Sequence, residues 1–204
     1  MILNKAPLPR IAIACAIVLI ASGWFAFRNL ASWLVVSDPL PQTLDVIFTF
    51  AGDNQRFIYS KELFAKYPQV RWVISYPTKK IILPLKREGF DTSRIEIVDT
   101  CKNTNAEAWF ITGWVHHAVE SGARASVANP LRIGLVSMPF HMKRIHLDVS
   151  RKPKENACVY YYLPVPVEQY GLTKKDFKTW WTNAQLRSAV FLEFKKYVYY
   201  LWKA

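Results

Sequence analysis

The chain has 204 residues, 51% of them apolar and 15% aromatic, and carries a formal net charge of +12. That composition excludes a disordered chain, and the length left after an N-terminal hydrophobic run suits one domain with a real core rather than two. The positive charge is compatible with nucleic acid, an anionic membrane surface or an acidic ligand, and does not choose among them.

Residues 11–27 form an uncharged run of Ile, Ala, Val, Leu and Phe between Arg10 and Arg28, and residues 29–36 extend it. A run of roughly 17 residues matches the shortest membrane-spanning helices. The α-amine, Lys5 and Arg10 precede it, whereas only Arg28 follows before Asp38. This asymmetry predicts a cytoplasmic N-terminus (1–10), a transmembrane anchor with its extension (11–36) and a domain outside the cytoplasmic (inner) membrane, in a single-pass arrangement. A cleaved signal peptide is the rival reading, since Ala21-Ser22-Gly23 supplies small residues, but apolar sequence continues through Trp24, Phe25 and Phe27. A buried core helix is the blander alternative, and the two flanking arginines argue against it.

Prolines 39 and 41 make residues 37–43 an extended linker, and the domain proper is expected over 44–204. Within it, β-branched and apolar runs predict strands over 45–50, 70–75, 95–98, 132–136 and 158–163. Helical spacing predicts helices over 55–67, 78–88 (closed by Gly89), 105–121 (closed by Gly122) and 142–149. This alternation calls for right-handed crossovers and an α/β, Rossmann-like parallel sheet flanked by helices. Residues 176–202 read as one amphipathic helix, packed on the sheet or lying on the bilayer surface. Cys101 and Cys158 fall at opposite edges of such a sheet, which predicts free thiols. There is no C-x-x-C or H-E-x-x-H spacing, so neither a metal nor another cofactor is expected.

The candidate site starts from Ser137-Met138-Pro139-Phe140-His141-Met142-Lys143-Arg144, which directly follows the fourth predicted strand. There Ser137, His141 and Arg144 gather near a strand's carboxyl end and a helix's amino end, a place that favours an anion. In the common doubly wound order the first and fourth strands are neighbours. Gly52, Asp53 and Arg56 then face that block, with Asn103 and Thr104 closing a third side. Two arginines, a hydroxyl and helix-end N–H groups suit carboxylate or phosphate oxygens. His141 is the candidate proton carrier and Asp53 the candidate to orient it. Each residue also has a structural reading: Arg56 and Arg144 as solvated helix charges, Asn103 and Thr104 as caps, Ser137 as a turn residue and His141 as a packed side chain.

Leu44-Asp45-Val46-Ile47 after Asp38-Pro39-Leu40-Pro41, then Asn103-Thr104, the Ser137-x-x-x-His141-Met142-x-Arg144 block and a closing helix with Glu193 together resemble the YdcF-like family, which includes the SanA and ElyC envelope proteins. The resemblance spans residues 38–204. It implies a Rossmann-like domain with a polar pocket, Ser75 among its lining residues, and a role in envelope integrity, peptidoglycan and its lipid carrier. The chain departs from the family pattern in its first turn, Ala51-Gly52-Asp53, and in its second, Ser75-Tyr76-Pro77-Thr78-Lys79. It departs again at Cys101, where a serine is expected, and at Ala106-Glu107, where Glu-Asn is.

The expected partners are therefore a membrane bilayer and an anionic small-molecule or lipid-linked ligand; no protein partner is indicated. Two function classes stay open: an enzyme acting on a phosphate-bearing envelope precursor, and a tethered regulatory or scaffold protein with a vestigial pocket. A nucleotide- or S-adenosylmethionine-binding module is a further alternative. No nucleic-acid motif is present, and an exported domain would meet no nucleic acid.

Overall fold

The computed structural model describes residues 8–75, 81–120, 129–153 and 157–202. The N-terminal run is one helix, α1 (Leu8–Trp33). Its stretch Ala12–Trp33 is long and apolar enough to cross a membrane, with mean hydropathy 1.7 and none of its most apolar window buried by the rest of the chain.

Five parallel strands follow: β1 (Val46–Thr49), β2 (Arg71–Ser75), β3 (Ile95–Val98), β4 (Leu131–Ser137) and β5 (Cys158–Pro164). They are ordered β3-β2-β1-β4-β5. The central strand β1, Val-Ile-Phe-Thr, is buried along its whole length, as expected of a parallel strand covered on both faces. On one face its Val46 and Phe48 pack with Val73, Ile111, Ile133, Leu135 and Ile145. On the other, Ile47 packs with Leu63, Phe64, Trp72 and Ile74. The period-2 alternation of these side chains is what divides the core into two layers.

The helices between strands are α2 (Asn54–Lys66), α3 (Ile82–Arg87), α4 (Thr104–Glu120) and α5 (Met142–Ser150). All four fall inside or within a residue of the predicted spans. The start of the predicted 78–88 helix and the Gly122 stop lie outside the described residues, while Gly89 takes φ +85°, the left-handed backbone that favours glycine after a helix.

Two expectations need correction. Residues 176–202 are not one helix: a 3-10 segment, Asp176–Thr182, breaks at Asn183, which starts α6 (Ala184–Trp202) by accepting from Leu186 N at 3.1 Å. Asparagine competes well as a cap, so the helix begins there rather than running through. The N-terminal helix also ends sooner than residue 36. The helix stops at Trp33, Leu34 is fully buried against Phe140, Trp180, Leu186 and Val190, and Val36 packs on the sheet core.

The linker is strapped to the domain. Asp38 N donates to Tyr162 O at 2.9 Å and the Asp38 carboxylate accepts from Tyr162 N at 2.8 Å, covering part of the otherwise open β5 edge. Tyr67 Oη donates to Pro41 O at 2.6 Å. Neither Cys101 nor Cys158 forms a disulfide; both are half-buried, and they belong to the two opposite edges of the sheet.

Candidate functional site

At the carboxyl end of β1 the chain turns through Ala51-Gly52-Asp53 into α2. Asp53 is the helix cap: its Oδ1 accepts from Gln55 N at 3.0 Å and Arg56 N at 3.2 Å, and also from Tyr170 Oη at 3.0 Å. Burial, together with that carboxylate, raises the Tyr170 phenol above its ordinary value, so the hydroxyl stays a donor. Arg56 folds back over the turn. Its Nη1 donates to Ala51 O and, at 3.5 Å, to Phe50 O, and its Nε lies 3.4 Å from Asp53 Oδ2. A Cβ on Gly52 would stand 2.7 Å from Arg56 Nε, so glycine is what lets the guanidinium lie against the turn.

These residues line a cavity of about 260 Å³ over the ends of β1 and β2, whose wall includes Thr49, Gly52, Asp53, Arg56, Ile74 and Ser75. Arg56 is 6% exposed, and its Nε is buried without a hydrogen-bond partner. Beneath the cavity Trp72 Nε1 donates to Thr49 Oγ1 at 2.8 Å, and Thr49 donates to Ser60 Oγ at 2.6 Å, which satisfies the floor internally.

The β1–β4 switch point is built differently. Ser137 ends β4, a 3-10 turn over Pro139–His141 carries His141, and α5 carries Arg144. His141 is 5% exposed and held at both ring nitrogens: Nε2 lies 3.0 Å from Thr104 Oγ1 and Nδ1 lies 3.3 Å from Ser137 Oγ. Thr104 already accepts from Arg144 Nη1 at 2.6 Å. We therefore assign its hydroxyl proton to His141 Nε2, which leaves Nδ1–H to donate to Ser137. Burial first, then the charges of Arg144, Arg56 and Lys196, hold the imidazole pKa well below the ordinary histidine value, so the ring is neutral.

Arg144 is 5% exposed and pairs with the equally buried Glu193 of α6, through Nε to Oε2 at 3.0 Å and Nη2 to Oε1 at 3.4 Å. Glu193 also accepts from Lys196 Nζ at 3.1 Å. Glu107, on the first turn of α4, accepts from Ala51 N at 2.7 Å and so bolts the β1 turn to α4. Burial raises the Glu107 carboxyl above its usual range; the Ala51 and Ser75 hydrogen bonds and the charges of Arg56 and Arg144 only partly oppose this.

The nine predicted residues thus divide three ways. Gly52, Asp53, Arg56 and Ser75 share the open cavity. Thr104, Ser137, His141 and Arg144 form a packed polar cluster beside it. Asn103 stands apart: it caps α4 by accepting from Ala106 N at 2.9 Å and faces a separate, shallow depression with Cys101 and Trp109. The pairing of Asp53 with His141 does not form, because Asp53 is committed to α2 and Tyr170 while Ser137 and Thr104 orient the ring.

Sequence reading missed Glu107 and Tyr170 as members of this region. A lone acid in the first turn of a helix usually answers the helix dipole, and only the approach of the Ala51 turn makes Glu107 an acceptor for it. Among the described residues there is no group of three or more metal-ligating side chains. No protein-family model, no curated protein and no solved structure matches the chain.

A second hollow, about 190 Å³ and largely apolar, lies next to the turn after β4. Met138, Phe140, Tyr170, Leu172, Leu186 and Ala189 line it. Met138, Phe140 and Leu172 also belong to the cluster that takes in the end of α1. Tyr170 connects the two hollows, since its ring lines the apolar one and its hydroxyl binds Asp53 of the polar one.

Proposed function

We propose that the chain is a membrane-anchored protein with an extracytoplasmic domain that binds an anionic, phosphate-bearing ligand over the ends of β1 and β2. Its place, on the resemblance to YdcF-like proteins, is in envelope biogenesis or barrier integrity at the level of peptidoglycan and its lipid carrier. The observation that carries this reading is Arg56: a buried cation, fixed by two backbone carbonyls, whose Nε has no hydrogen-bond partner and which lines the cavity. A buried guanidinium with an unmet donor gains from a phosphate or carboxylate oxygen. At about 260 Å³ the cavity falls below the roughly 300–1,000 Å³ of sites that enclose whole cofactors, so it suits a phosphate head group better than a nucleotide or S-adenosylmethionine. The adjoining apolar hollow, bordered by Tyr170, suits the first part of an attached hydrocarbon chain.

Arg144 and His141 take a supporting part in this reading. Glu193 neutralises Arg144, and protein partners occupy both nitrogens of His141, which favours a binding or regulatory protein over a proton-transfer enzyme. The test uses the full chain in nanodiscs, with inorganic pyrophosphate, a prenyl phosphate and S-adenosylmethionine as probes in titration calorimetry. The prenyl phosphate binds and Arg56→Lys, shown to be folded by its thermal transition, weakens it at least about tenfold, the loss of one charge-assisted hydrogen bond. Equal affinity in wild type and variant removes Arg56 from the site, and binding by none of the probes removes the anion-binding reading. A reporter fused after Ala204 that is active only in the cytoplasm removes the extracytoplasmic one.

A further inference from the structure

The end of α1 does not stand clear of the domain. Trp24, Phe27, Ala31 and Leu34 recur on one helical face, and this face meets the 3-10 segment Asp176–Thr182 and the start of α6. Ring centroids lie 5.5 Å apart for Trp24 and Trp181 and 4.8 Å for Phe27 and Trp180, and Trp180 Nε1 donates to Phe27 O at 3.0 Å. Ala31, Leu34, Trp180, Leu186 and Val190 complete the cluster.

This contact constrains where a membrane can lie. Residues 11–23, the uncharged apolar part of α1 ahead of Trp24, rise only about 20 Å at about 1.5 Å per residue. A bilayer's hydrocarbon core is about 30 Å thick. The span is completed only by residues 24–33, the part that carries the aromatic contact, so a membrane crossed by α1 reaches the level of Trp180 and Trp181. The surface there is equipped for that position. Between residues 172 and 187, Lys174, Lys175, Lys178 and Arg187 are exposed, and Arg28 is exposed on α1. Against its four cations the stretch has one carboxylate, Asp176, which accepts from Thr173 N at 2.6 Å and Thr173 Oγ1 at 2.8 Å at the surface. Trp180 is fully buried against α1, so the half-buried Trp181 is the indole available at the headgroup level, where tryptophan rings with lysines around them settle, and each cation there adds attraction to an anionic surface.

We infer that residues 172–187 form a membrane seat: the Trp180–Trp181 segment rests in the interfacial layer of an anionic bilayer, with its lysines at the phosphates and the strand carboxyl ends turned toward the lipid. The domain is then not held off on a stalk, and the apolar hollow bounded by Leu172, Leu186 and Ala189 opens beside the headgroups. The inference rests on the anchor reading of α1.

The experiment places single nitroxide labels in the full chain, with Cys15, Cys101 and Cys158 replaced by serine, in nanodiscs of phosphatidylethanolamine and phosphatidylglycerol. Labels go at Ile20→Cys on α1, Thr179→Cys in the seat, and Glu120→Cys at the amino-end side of the sheet. The label at 20 is oxygen-accessible and closed to a water-soluble nickel chelate; the label at 179 loses most of the nickel accessibility that the label at 120 keeps, and regains part of it in phosphatidylcholine discs. A label at 179 as open to nickel as that at 120, with 20 buried in lipid, overturns the seat alone. A nickel-accessible label at 20 overturns the anchor and the seat with it. Equal protection in phosphatidylcholine overturns the preference for anionic lipid. Should the cysteine-free chain fail to fold, quenching of the native tryptophans by brominated lipid, compared between wild type and Trp181→Phe, reads the same contact: a smaller quenched fraction in the variant supports the seat, and an unchanged one overturns it.

Discussion

Two crevices lie side by side over the sheet, one above β1 and β2, the other above β1 and β4. They share β1, and each has a buried arginine and a serine at a strand end. Above β1 and β2, Arg56 is held by backbone carbonyls and a partly exposed aspartate, and the space beside it is open. Above β1 and β4, Glu193, Thr104 and Ser137 answer Arg144 and His141 at close range, and the space is filled. The lesson is that polar residues converging on a topological switch point make a receptor only when their charges and hydrogen-bonding capacity are left over; when they satisfy one another they become part of the core.

The strongest way to break this comparison is at the filled crevice. Glu193→Ala leaves Arg144 buried without its carboxylate, and urea midpoints should record a loss of about 3–5 kcal/mol. Arg144→Met combined with Glu193→Leu should recover much of that loss, because two neutral side chains then replace an uncompensated charge. A smaller effect is expected where the two crevices meet. Glu107→Ala strands the Ala51 N–H and should cost about 1–3 kcal/mol, and it should also weaken ligand binding by loosening the turn that positions Arg56.

His141 supplies a prediction in pH. Its folded-state pKa lies well below the unfolded value of about 6.5, so below that pH the unfolded chain binds the extra proton first. The stability this neutral ring contributes is present above about pH 6.5 and is lost as pH falls toward the depressed folded value, at up to about 1.4 kcal/mol per pH unit. His141→Asn should flatten that slope. Glu107, raised by burial, runs the other way: stability it contributes at low pH is lost as pH rises through its folded value, so the comparison is made against Glu107→Gln as well. The smallest change is expected at the open crevice, where Asp53→Ala removes the cap of α2 at a cost of about 1 kcal/mol and frees the Tyr170 hydroxyl.

The α/β class, the five strands and the apolar helix at the N-terminus were legible because each rests on local pattern: β-branched runs, helical spacing, and an uncharged stretch long enough to span a bilayer. The adjacency of β1 and β4 followed from the rules of parallel crossovers, and the structure has it. Less legible was the C-terminal stretch, where apolar spacing runs through Asn183 although the backbone breaks there. Residues 34–36 read as more membrane sequence because hydropathy does not distinguish a lipid partner from a protein one.

By itself the sequence determined the layers of this protein and the loops that bear its polar residues, since periodicity and turn chemistry act over a few neighbouring positions. Only the tertiary structure decided which of those residues are left with unmet hydrogen-bonding capacity. Arg56 and Arg144 are alike as sequence; the buried Glu193, 49 residues beyond Arg144, holds one at 3.0 and 3.4 Å, while the other meets only the partly exposed Asp53 among carboxylates within ion-pair distance, at 3.4 Å, and keeps an Nε with no hydrogen-bond partner. Such pairing depends on a contact between distant segments, and no local pattern records it.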